Sequence, residues 1–176
     1  MPILIAHRGN LEGPCVEYEN NPNYVSGGLF SYPSLHAEID VWFQKGDFFL
    51  GHDDPRYKIN EDFLVNSRLW CHAKNLSAFE RMLSNPLIHC FWHQEDDFVL
   101  TSRGYIWTYP EKKLTPKSIC VMPELWKEAP NTFGVAGVCS DFISGDWGFP
   151  RAPQREKKLP TIDYVLVKDC LYREKG

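Results

Sequence analysis

Seven short apolar segments recur along the chain and constrain its fold more than any other feature: PILIAHR, LHAEIDVWF, LWCHAKN, IHCFWHQ, YIWTYP, SICVMPE and GVAGVCSDFI. They are rich in Ile, Val, Phe and Trp and end at polar or charged residues, as strands buried on both faces do. Between the early ones, NNPNYVSGGLFSY, INEDFLVNSR and NLSAFERMLSN carry apolar residues at helical spacing. In the last of these, Leu76, Phe79, Met82 and Leu83 form one predicted stripe, with Asn75 or Ser77 as the cap. Alternating strands and helices predict an α/β fold of parallel strands with right-handed crossovers, as an open doubly wound sheet or a closed barrel.

The chain of 176 residues is long enough for one substantial core and shows no second domain or internal repeat, so residues 1–176 are expected to form a single domain. Polar and charged residues stand at the exits of several consecutive strands, which is what the mouth of a barrel supplies. A TIM-type barrel usually takes about 250 residues, so this one is expected to be trimmed. The links after Glu95 and Pro110 are too short for full helices. The late run YVLVKD reads as an eighth strand or an added edge strand, and GFPRAPQREKKLP as a polar loop.

A net charge of -4 argues against broad nucleic-acid binding, which needs a concentrated basic face. No apolar run approaches the roughly 20 residues of a spanning helix, and the first residues lack the basic start of a secretory leader. A cytoplasmic location is expected. Cys71, Cys90, Cys120 and Cys139 lie inside apolar runs, where reduced buried thiols are the usual outcome. Trp147 and Phe149 fit either core packing or an apolar binding surface.

The chemistry concentrates in three places. His7 and Arg8 follow the first apolar run and set two cationic side chains at its exit, suited to an anion. Glu38 and Asp40 alternate with Ile39 and Val41, so both carboxylates share one strand face. Two carboxylates so placed hold a cation such as Mg²⁺ or Ca²⁺, pair with Arg8 and Lys74, or sit at a solvated edge. His52 follows Phe48, Phe49, Leu50 and Gly51, and with His7 it makes a candidate acid and base pair on either side of a reacting group.

In order and spacing, AHRG, Glu19-Asn20, EIDV and GHD together resemble the glycerophosphodiester phosphodiesterase family and, in layout, the related spider-venom sphingomyelinase D enzymes. The likeness is close over roughly the first third of the chain and an outline beyond. It implies a barrel with its site at the C-terminal mouth, a divalent cation on Glu38 and Asp40, catalytic His7 and His52, and Arg8 on phosphate. The family's third metal ligand is an acid followed two positions on by a lysine; CHAKN keeps Lys74 as a substrate contact but sets His72 in the acid's place. Imidazole suits Mn²⁺ or Zn²⁺ better than Mg²⁺ or Ca²⁺. Either the metal differs, or His72 leaves the coordination shell. The family's insertion after the GHD motif is also missing.

The expected activity is metal-dependent hydrolysis or cyclisation of a small-molecule or lipid-derived phosphodiester, with oligomeric state left open. Two rivals stand beside it: a barrel that binds phosphate or phosphodiester without turnover, and a metal hydrolase of another class using His72 and His93. His93 and Glu95 are read as sharing a strand face and supporting the site, Asp141 as structural or supporting, and Trp107 and Glu124 as near the mouth.

Overall fold

The computed structural model describes residues 2–143. The strand expected at YVLVKD, the loop GFPRAPQREKKLP, Trp147 and Phe149 lie outside the described residues. Each of the seven apolar segments contributes one parallel strand: β1 (Ile3–Ala6), β2 (Leu35–Gln44), β5 (Leu69–Ala73), β6 (Cys90–Phe91), β8 (Ile106–Thr108), β9 (Ser118–Val121) and β10 (Gly137–Ser140). Three antiparallel strands join them: β3 (Asp47–Leu50), β4 (Tyr57–Ile59) and β7 (Phe98–Leu100). The helices are α1 (Pro22–Ser31), the single turn α2 (Glu61–Leu64) and α3 (Leu76–Leu83).

The result is a mixed α/β fold with one ten-stranded, mostly parallel sheet and few helices. The parallel ladders run β6-β5-β2-β1-β10-β9-β8. Strand β2 is the hinge of this order. Its first half pairs with β1, its last residues run past β1 into a hairpin with β3, and β5 lies on its other edge. Among the described residues no ladder joins β6 to β8, so the sheet does not close on itself. Strand β6 is two residues long, and its free edge is taken by a turn: Ser102 N donates to Cys90 O at 2.8 Å and Cys90 N to Ser102 Oγ at 3.0 Å.

Alternation along the strands sorts side chains into two layers. Facing outward, Ala6, Ala37, Ile39, Val41, Leu69, Cys71 and Ala73 pack against Val25 and Leu29 of α1 and Ala78 and Met82 of α3. Facing inward, Ile5, Trp70, Phe91, Trp107, Ile119, Val121 and Cys139 fill the space within the curved sheet. Large rings occupy that interior, and they pack across the unladdered seam, with Phe91 and Trp107 centroids 4.6 Å apart. Among the described residues no helix covers the outer face of β9 and β10; Leu114 and Trp126 from loops pack on Cys120 and Val138 instead.

Helix α3 is capped by Asn75, whose side chain accepts from Ala78 N at 2.9 Å. Its buried face differs from the predicted stripe: Ala78 and Met82 are buried, while Leu76 and Leu83 are 63% and 51% exposed. An eight-residue helix leaning on a sheet buries one narrow strip, and small Ala78 allows close approach. Cys71, Cys90, Cys120 and Cys139 are buried free thiols within strands. Among the described residues no helix is long and apolar enough to cross a membrane.

Candidate functional site

The C-terminal ends of β1, β2, β5 and β10 bring the charged residues together. After Ala6 the chain makes a tight turn in which Arg8 has φ 52° and Gly9 φ 87°. A side chain at Gly9 would suffer twice, from its backbone angle and from Val25 Cγ2 3.0 Å from the added carbon. The left-handed conformation of Arg8 aims its backbone N–H at Glu38 Oε2, 3.2 Å away, while its side chain reaches Glu19 Oε2 at 2.9 Å and lies 3.3 Å from Asp40 Oδ2 through Nε. Strained backbone of this kind persists where surrounding contacts hold it, and it clusters at functional sites.

Asp40 is the most heavily partnered group. Asn20, also left-handed at φ 61°, donates to its Oδ2 at 2.9 Å and accepts from its backbone N–H at 2.8 Å. His72 Nδ1 lies 3.1 Å from Asp40 Oδ1 and 3.7 Å from Glu38 Oε1, and Lys74 Nζ is 3.5 Å from Asp40 Oδ1. Burial alone would raise the Asp40 pKa, but the His72 hydrogen bond and the charges of His72, Lys74 and Arg8 push it well below the usual carboxylate range. Glu38 goes the other way, raised by burial and by the neighbouring Asp40 charge.

Glu38, Asp40 and His72 each offer a ligand atom within 4.8 Å of the others, so this buried group could hold a metal ion.

His7 completes the centre. Its Nδ1 is hydrogen-bonded to Asp141 Oδ1 at 2.8 Å, and Asn10 Nδ2 donates to the same oxygen at 2.7 Å. Burial lowers the His7 pKa, yet the Asp141 bond and the Glu38 charge outweigh it, and the net shift is upward. Asp141 is itself fixed by Glu124, whose carboxylate accepts from Asp141 N at 2.9 Å and from Ser140 Oγ at 3.0 Å. His52 lies in the loop after β3, hydrogen-bonded to Asp53 at 2.7 Å, and lines the cleft shared with His7 and Arg8. Gly51 before it admits no side chain, since an added carbon would sit 2.1 Å from Asp54 O.

Beside the carboxylates, His93 stacks on His72 with centroids 4.5 Å apart and an 11° interplanar angle, and its Nε2 is hydrogen-bonded to the Tyr109 hydroxyl. Glu95 does not join His93. Strand β6 stops at Phe91, so the expected strand-face relation fails, and Glu95 is exposed. Trp107 is a buried floor of the cleft. Asn10, the bonds of Asn20 and Tyr109 were not assigned from sequence. The Glu19-Asn20 pair, one of the motifs that carry the family resemblance, is the signal that pointed to Asn20.

Comparison of the chain with protein-family models, with curated proteins and with solved structures gives no match.

Proposed function

We propose that the chain is a metal-dependent phosphodiester hydrolase built on a trimmed TIM-type barrel and similar in mechanism to the glycerophosphodiester phosphodiesterases. The observation that carries this reading is the convergence, at one end of the parallel strands, of the His7 and Asp141 pair, Arg8 and the Glu38, Asp40 and His72 group. A divalent cation bound by those three would supply neutralisation of charge on a phosphate oxygen. Arg8 and Lys74 contribute the same sign of field to the anion, where preorganised charge counts most. With His7 Nδ1 engaged by Asp141, Nε2 is the nitrogen left for substrate. One of His7 and His52 accepts the proton of the attacking water or substrate hydroxyl, and the other donates a proton to the leaving alkoxide. The substrate is a small-molecule or lipid-derived phosphodiester.

A second reading has its own support. Asp40 already meets Arg8, Lys74, His72 and Asn20, so internal cations satisfy much of it without a metal. That favours a phosphodiester-binding protein without turnover. Product release from a panel of phosphodiesters, with Mg²⁺, Ca²⁺, Mn²⁺ or Zn²⁺ returned to chelator-treated protein, separates the two. Metal-dependent release that disappears in His52→Ala is expected. Binding without release for every ion would establish the second reading instead.

A further inference from the structure

The cleft over the site has two lobes. One, of about 530 Å³, is lined by Asn20, Asp53, Asp54 and Arg56, with Pro14 and Val16 beside them. The other, of about 560 Å³, holds the Glu38, Asp40 and His72 group and is bordered by Trp92, His93, Trp107 and Tyr109, with Lys74 and Gln94 beside them. The lobes share His7, Arg8, His52 and Met122, the residues that flank the proposed phosphate position.

The aromatic lobe is the upper end of the ring-filled interior. Phe91 lies parallel to His72 within 3° at 5.2 Å, His72 stacks on His93, and His93 meets Tyr109 at 4.6 Å and 58°. Trp92 stands at the border, braced edge-on by Phe79 of α3 with centroids 5.8 Å apart. Rings fixed in this way present faces at little entropic cost. An acyl chain in the lobe would set the Lys74 ammonium and the Gln94 amide against hydrocarbon, whereas a flat ring with polar edges meets both the aromatic faces and those two groups.

We propose that the second lobe receives a planar aromatic ring carried by one alcohol of the phosphodiester, with the phosphate at His7 and Arg8 and a small polar alcohol in the first lobe. The assignment rests on the phosphodiester reading of the site. Its test is titration calorimetry on Mn²⁺-loaded full chain with the monomethyl esters of benzylphosphonic, cyclohexylmethylphosphonic and methylphosphonic acid, equal in charge and joined to their substituents by P–C bonds. The benzyl ester is expected to bind about tenfold tighter than the cyclohexylmethyl ester, a preference of the size that aromatic contacts supply. Trp92→Leu, which keeps an apolar partner for Phe79, should erase most of that preference while leaving the methylphosphonate affinity unchanged. That unchanged affinity also shows the variant to be folded. Equal binding of benzyl and cyclohexylmethyl esters, or a preference that survives Trp92→Leu, overturns the ring assignment and leaves the phosphate site standing. Absence of binding by all three overturns the assignment and the phosphodiester reading together.

Discussion

The inward face of the sheet carries a half-buried histidine at its mouth and a buried one at its opposite end, and they are set up in opposite ways. At the mouth, His7 has Asp141 at 2.8 Å and Glu38 nearby, so the depression from burial is overcome and the ring holds its proton more tightly than a free imidazole. At the opposite end, His89 packs 4.2 Å from the Trp70 ring and bonds Thr101 Oγ1 at 2.9 Å. Burial, with the Arg103 charge and the nearby His36, lowers its pKa to about 3. The same side chain holds its proton more tightly beside Asp141 and Glu38 and less tightly where it is buried beside Arg103. Burial depresses both rings, and the sign of the neighbouring charge decides whether that depression is overcome.

If that contrast is right, substitutions at the two ends should separate turnover from stability. His7→Asn is expected to cut turnover by about 10²- to 10⁴-fold, the usual worth of a positioned acid or base, with little change in the urea midpoint. His89→Asn should leave turnover of the folded protein near the wild-type value. Equal losses from both would break the comparison. Next in size is Trp70→Ala. Trp70 is 1% exposed and contacts the rings of His89, Tyr105 and Trp107. Truncating it leaves a large hole and should cost about 3–5 kcal/mol of unfolding free energy, read from urea denaturation. A loss below about 1 kcal/mol would mean that the interior rings repack freely and do not hold His89 in place.

Much of the mouth was legible in the chain because its logic is local. Glu38 and Asp40 are two residues apart on a strand, and period-two alternation puts them on one face wherever that strand ends up. The seven parallel strands were legible because each is a short apolar run that ends at a polar or charged residue. Strands β4 and β7 were not, since each is only three residues long and lies outside the seven apolar runs; in β7, Phe98 and Leu100 are 49% and 72% exposed. The open seam between β6 and β8 depends on hydrogen bonds made by the turn at Ser102, which no periodicity reports. His89 escaped notice because its environment is assembled from β5 and the loop around Thr101, and a lone histidine in an apolar run carries no mark of what will face it.

The smallest expected effect is also the most direct reading of the contrast in sign. His89 titrates near 6.5 when unfolded and near 3 when folded, so the unfolded chain binds the extra proton first. Its contribution to stability is fully present above pH 6.5 and is lost as pH falls below that value, at up to about 1.4 kcal/mol per pH unit, or about 2 kcal/mol by pH 5. His93, lowered to about 4, adds an acid loss of the same sign, while His7 opposes it. Asp141 is depressed from 3.8 and matters only at lower pH. Comparing wild type with His89→Gln cancels those shared terms. Between pH 6.5 and 5 the wild-type unfolding free energy should fall more steeply than that of His89→Gln, by up to about 1.4 kcal/mol per pH unit. Parallel slopes would mean that His89 takes up a proton within the fold, and the neutral end of the sheet would then be no different in kind from the mouth.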